Sequence, residues 1–148
     1  MSEPLIVVEG SLYSSKNSRR IVSNKGKTKN ARPFYLLKSQ QALTADTSII
    51  FQLNRQREIW QDMFNRHLEF CNDNDLPVYP LRIKFHIYRQ NKVRFDFVNV
   101  VQSILDMLVK AEYIEDDNAN IVLPVFTPYL IDKERPRTEL YIERPIYD

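Results

Sequence analysis

The sequence predicts an α+β fold: a single domain over residues 1–148, with a mixed β-sheet and helices packed on one of its faces. Three observations lead there. From Val78 to Arg89 the chain alternates strictly, with Leu81, Ile83, Phe85 and Ile87 on one side and Arg82, Lys84, His86 and Tyr88 on the other. That is the signature of a strand with one face on a core and one basic, wet face. Apolar residues recur at helical spacing both before and after this strand. The order strand, long basic loop, helix, strand, helix, strand, strand then calls for helices against a mixed sheet. With 148 residues, 43% of them hydrophobic, the chain has the length of one ordinary domain and the means to fill its core.

Leu5 to Glu9 reads as a short strand. Ser11 to Lys38 is polar and basic and reads largely as loop, with Phe34 to Leu37 extended. A helix is expected from Thr47 to Cys71, because Trp60, Met63, Phe64, His67, Leu68 and Cys71 fall on one stripe, and Pro77 ends the segment after it. His67 on that stripe is expected to be packed and hydrogen-bonded rather than a ligand. A second helix is expected from Phe97 to Ala111. Its polar residues, Asn99, Gln102, Ser103, Asp106 and Lys110, share a narrow arc. The apolar arc opposite is roughly 200° wide at about 100° per residue, against ~100° for an ordinary surface helix. The helix is therefore expected to be buried on most sides, and a second copy of the chain is one way to cover Val100, Ile104 and Met107. Ile121 to Phe126 and Thr138 to Ile142 read as strands, with Pro124, Pro128 and Pro136 at edges or turns.

Composition excludes several classes. No apolar run approaches the ~18 residues of a membrane span, and the opening MSEPLIVVEG lacks the basic region and long apolar core of a secretory signal. One cysteine, Cys71, gives neither an intrachain disulfide nor a cysteine-based zinc site, so a cytoplasmic setting is expected. Net charge is only +2, but unevenly spread. Gly10 to Ala45 contains no acid, yet it carries Lys16, Arg19, Arg20, Lys25, Lys27, Lys29, Arg32 and Lys38. From Glu112 onward there are nine acids against four bases. A basic segment beside an acidic region suits a protein that holds a polyanion near a metal; a solvated basic loop would carry the same charges.

The stretch Arg94 to Asn118, RFDFVNVVQSILDMLVKAEYIEDDN, carries the candidate chemistry. It places Asp96 where a strand gives way to a helix, and Asp116 and Asp117 in the loop after that helix. A fifteen-residue helix is ~22 Å long, so these acids meet only if the loop folds back or if two chains come together. Carboxylates so gathered would bind a hard ion such as Mg²⁺, which activates water and polarises a phosphate. Helix capping by Asp96 and turn formation by Asp116, Asp117 and Asn118 account for the same residues without catalysis.

The same stretch resembles the RusA family of Holliday-junction resolvases, common in phages. That pattern runs Asp-x-Asp-Asn, an acid seven residues after the Asn, a Leu two further on, then Lys-Ala-Gly and an Asp-Asp pair. Asp96 matches the first aspartate, Asn99 the asparagine and Asp106 the later acid. Leu108, Lys110 and Ala111 follow, Glu112 stands at the glycine, and Asp116 and Asp117 close the motif. SSKNSRRIV, Ser14 to Val22, resembles the family's opening loop, and FYLLKS, Phe34 to Ser39, is similar to its phage members. The resemblance is strong from Asp96 to Asp117 and weaker elsewhere. Val98 stands where the family has its second aspartate and Gln102 where it has a lysine.

The resemblance implies a RusA-like homodimer, dependent on Mg²⁺ or Mn²⁺, that cuts branched DNA. Asp96 and Asp117 would be catalytic and would hold the metal with Asp116, supported by Asn99 and Asp106. Contacts to branched or duplex DNA are expected at Lys16, Asn17, Arg19, Arg20, Lys25, Lys27, Lys29 and Arg32. The alternatives are a protein of the same fold that binds nucleic acid without cutting it, and a host-directed phage protein acting through protein contacts.

Overall fold

The structure, a computed structural model, describes residues 4–12, 19–23, 34–38 and 40–144. Its elements are β1 (Ile6–Glu9), β2 (Arg19–Ser23), β3 (Phe34–Lys38), α1 (Gln40–Asn54), α2 (Arg57–Asp73), β4 (Leu81–Arg89), α3 (Phe97–Lys110), β5 (Val122–Phe126), β6 (Leu130–Ile131) and β7 (Arg137–Glu143). Five strands form one mixed sheet in the order β1-β7-β4-β5, with β6 also paired to β4. β7 runs antiparallel to both β1 and β4, whereas β5 and β6 are parallel to β4. A parallel neighbour needs a crossover, and α3 supplies it between β4 and β5.

Strand alternation decides which face is buried. Ile83, Phe85 and Ile87 of β4 stand in register with Ile142, Leu140 and Thr138 of β7, the latter two with Ile6 and Val8 of β1, and Leu81 with Val122 of β5. This row shares one core with Ile49 and Leu53 of α1, Trp60 and Met63 of α2, and Val101, Ile104, Leu105 and Leu108 of α3. All three helices therefore lie on the same face, and the predicted class holds at the level of a three-helix, five-strand α/β sheet domain.

The expected helix from Thr47 to Cys71 is two helices. Gln56 at the break has φ −114° and ψ 15°, and its backbone N–H turns back to the Leu53 carbonyl at 2.9 Å. That carbonyl also accepts the Tyr113 hydroxyl from across the core. A tertiary partner thus takes the acceptor on which a continuous helix would depend, and apolar periodicity carries no record of it. The helix also begins earlier than Thr47, at Gln40. β2 falls within the basic segment that reads as loop; it pairs with β3 as a separate two-stranded sheet.

α3 matches its expected span to within one residue. The covering of its wide apolar arc differs from the expectation. Val100, Ile104 and Met107 are 3%, 0% and 0% exposed within the one chain, so that arc gives no ground for a second copy. The helix ends in a turn where Glu112 N–H bonds the Val109 carbonyl at 3.0 Å and Tyr113 N–H the Leu108 carbonyl at 2.9 Å. Glu112 takes φ 63°, the left-handed conformation such an ending needs and glycine adopts without strain. No helix among the described residues is long and apolar enough to cross a membrane.

Candidate functional site

β1 and β4 run the same way, since each is antiparallel to β7, and Arg137 of β7 stands in register with both Glu9 and Tyr88. The end of β1, from which the basic segment departs, is therefore beside the end of β4, from which the chain goes to Asp96. Gly10, with φ 98°, turns the backbone out of β1 there. A cavity of about 540 Å³ lies at this edge, lined among others by Ser11, Leu12, Thr44, Ser48 and Gln90. Residues far apart in sequence, Gly10 and Thr44 at the two sides of the basic segment and Gln90 ahead of Asp96, thus share one end of the sheet.

Asp96 is exposed and sits at the N-cap of α3. Its carboxylate does not cap the helix backbone; instead it accepts a hydrogen bond from the Asn99 side-chain amide at 3.3 Å. The turn that carries it is braced from behind. Arg89 lies over the Phe95 ring at 4.0 Å and donates to the Val93 carbonyl at 3.3 Å, while Phe95 packs edge-on against Phe97 and Tyr129, each at 5.1 Å. Burial lowers the pKa of Arg89. Around the turn Lys92, Arg94 and Lys133 are exposed, none with a carboxylate partner among the described residues. The same end also carries acids: Glu9 and Asp132, paired with Arg135 and Arg137, and the exposed Glu134. Composition alone did not single out these three cations; they become a group only when the β4–α3 and β6–β7 connections meet. Val93, Val98 and Leu130 add exposed apolar surface at the same end.

Asp116 and Asp117 lie at the other end. Val122 and Ile121 N–H groups bond the Asn118 carbonyl at 3.0 Å, and Leu81 N–H bonds the Ile121 carbonyl at 2.7 Å, so the acidic turn stands at the start of β4. Asp116 accepts from the Asn118 side-chain amide at 2.7 Å and from the Asp117 backbone N–H at 2.9 Å. These bonds, the Asn118 amide first, hold the Asp116 carboxyl below its ordinary range. Behind the turn a cleft of about 430 Å³ is lined by Trp60, Phe64, Tyr79, Tyr113, Glu112 and Glu115, among others. Trp60 and Tyr113 stack at 5.1 Å, and the indole N–H donates to the Tyr113 carbonyl at 3.0 Å. Burial pushes the Tyr113 hydroxyl up to about 12.

The fourteen residues of α3 separate these two ends, about 21 Å at 1.5 Å per residue. One chain therefore does not bring Asp96 to Asp116 and Asp117, and among the described residues no three His, Cys, Asp or Glu side chains could hold a metal ion. A divalent ion does not fit between these acids within a protomer.

The other expected residues are placed as follows. Asp106 is half-buried midway along α3. Arg19 and Arg20 lie in β2, whereas Lys16, Asn17, Lys25, Lys27, Lys29 and Arg32 lie outside the described residues. The open face of the sheet, expected to be basic and wet, is internally paired: Arg82 and Lys84 reach Glu143 at 3.2 and 3.4 Å, and Arg137 reaches Glu139 at 3.2 Å while lying over Tyr88. His86 stacks on Tyr141 at 5.7 Å. Each of those cations thus has a carboxylate partner on the same face. His67 is buried with a ring nitrogen 2.9 Å from the Val78 carbonyl, a packed core histidine, and Cys71 beside it is fully buried.

No protein-family model matches the chain, and no curated protein matches it.

Proposed function

We propose that the chain is a RusA-like endonuclease of branched DNA, dependent on Mg²⁺, with the Asp96 turn as its reacting end. The observation that carries this is convergence. An exposed carboxylate that leaves its helix uncapped stands at the same end of the sheet as both sides of the acid-free basic segment, and the connections at that end carry three exposed cations without a carboxylate partner among the described residues. Cations around a single carboxylate suit a phosphodiester held beside it. The left-handed Glu112, at the position where the resembling pattern has glycine, also supports the resemblance. Mg²⁺ is commonly held by one or two carboxylates together with substrate phosphates, which is what Asp96 alone would contribute in one chain. The Asp116–Asp117 turn would take part only from a second copy, so this reading calls for a homodimer.

A second reading, DNA binding without cleavage, is favoured by Val98. It stands where the family pattern has an aspartate, and it is 70% exposed, so its side chain is not simply part of the core. One experiment separates the two. Purified protein is incubated with labelled four-way junction, duplex and single strand in Mg²⁺, Mn²⁺ or EDTA. The nuclease reading expects metal-dependent cutting of the junction. Junction binding without cutting in any metal selects the second reading, and absence of binding defeats both.

A further inference from the structure

β1 is an edge strand: β7 pairs with it on one side, and no strand pairs with it on the other among the described residues. Such an edge presents unpaired backbone groups that can accept a strand from another chain. In β1 the outward groups are those of Val7 and Glu9, because Ile6, Val8 and Gly10 turn towards β7, where Gly10 N–H bonds the Pro136 carbonyl at 2.8 Å. Two glutamines occupy all four outward groups. The Val7 N–H donates to Gln56 Oε1 at 2.9 Å, and Gln56 Nε2 donates back to the Val7 carbonyl at 2.8 Å. The Glu9 N–H donates to Gln52 Oε1 at 2.6 Å, and Gln52 Nε2 donates back to the Glu9 carbonyl at 3.1 Å. Each amide thus makes the paired N–H and C=O contacts that a residue of a neighbouring strand would make.

The spacing explains why a helix can do this. Four residues along a helix advance about 6 Å, and two residues along a strand about 6.6 Å. Gln52, in the last turn of α1, and Gln56, at the break just after it, match Glu9 and Val7 in step, and this stretch runs opposite to β1. Neither amide is left loose: Gln56 Nε2 also reaches the Gln52 carbonyl at 3.1 Å, and Gln52 Nε2 reaches Ser48 Oγ at 3.2 Å. Simple docking of α1 on the core needs none of this, since Ile49 and Leu53 already bury its apolar side.

We propose that Gln52 and Gln56 form an edge guard, an intramolecular stand-in for a strand that keeps β1 from pairing with a second copy of this chain. The inference does not depend on the nuclease reading. Its test replaces both glutamines by methionine, which keeps length and apolar stem but removes the amides. In the Gln52→Met/Gln56→Met protein, the Val7 and Glu9 amides should exchange hydrogen about tenfold faster at low concentration, the loss expected for one net hydrogen bond each. As concentration rises, light scattering should show association beyond the parent's own state, and the same two amides should regain protection. A folded double variant with parental mass at every concentration overturns the proposal, and so do unchanged exchange rates. If the double variant does not fold, Gln52→Met alone decides the matter, because Gln56 still holds Val7. Faster exchange confined to Glu9 together with concentration-dependent association upholds the guard, and the absence of either overturns it.

Discussion

The two ends of α3 differ in nearly everything except that each carries aspartate. At the Asp96 end the carboxylate is exposed and has no ion-pair partner among the described residues, and the connections at that end carry the exposed Lys92, Arg94 and Lys133. At the Asp117 end the carboxylates lie in a turn bonded to its own amides, with Glu112 and Glu115 close by in sequence and the Trp60–Tyr113 stack behind. If the proposed function holds, a polyanion would meet the first end rather than the second. The two acidic sites thus lie at opposite ends of one helix, in different surroundings. Under the proposed reading Asp96 would meet a phosphate, whereas the loop after α3 that carries Asp116 lines the cleft beside α2.

The largest effect expected from this contrast is structural and belongs to the Asp117 end. Trp60→Ala should cost about 3–5 kcal/mol in chemical denaturation, by analogy with other buried aromatic truncations. A loss under about 1 kcal/mol, the size of an ordinary substitution, would show that this end is not a packing joint.

Next in size is catalysis. Asp96→Asn should lower junction cleavage about a hundredfold or more, the scale of a few kcal/mol of lost transition-state stabilisation, and leave DNA binding intact. Asp117→Asn sharpens the comparison. If paired chains complete each site, it should be equally damaging, and mixing the two inactive variants should recover on the order of a quarter of the parent's sites in randomly reassorted dimers. Full activity in Asp117→Asn would mean that Asp96 works without the far turn.

Binding should follow the same polarity. Replacing Lys92, Arg94 and Lys133 together by alanine should reduce the salt slope of duplex binding by about 2.7, at ~0.9 for each phosphate no longer neutralised. An unchanged slope would place the DNA elsewhere and break the comparison at its basic end. A smaller effect is expected at the end of α3. Glu112→Gly removes the left-handed strain of a side chain and should raise stability by about 1 kcal/mol, seen as a melting temperature higher by roughly 2–4 °C. The smallest is Val98→Asp. Because the residue is exposed, stability should stay within about 0.5 kcal/mol of the parent, so any gain in metal-dependent cutting can be read without a folding defect. No gain would favour binding without cleavage.

Local signals in the sequence were enough for the alternating β4, for α3 and for the approximate places of β1, β5 and β7. In β1, β4 and α3, and at the start of β7, the period alone separates a buried side from a more open one. The same periodicity placed His67 correctly in the core. It could not find the break at Gln56, where the contacts run to the Tyr113 hydroxyl and to an edge strand elsewhere in the chain. Nor could it find β2, whose five residues carry little alternation, or the pairing of Arg82 and Lys84 with Glu143, which depends on the register of β7 against β4.

For the candidate site the division is similar. The sequence by itself determined the span of the helix between Asp96 and Asp117, the positions of these acids along the chain and the acid-free basic segment, since these are matters of order and spacing along one chain. Only the tertiary structure decided where those features meet. Because β1 and β4 run parallel on either side of β7, the basic segment and Asp96 leave the sheet at one end; because α3 must cross back to feed a parallel β5, Asp116 and Asp117 emerge at the other. Strand direction is set by long-range pairing, and no local pattern of residues records it.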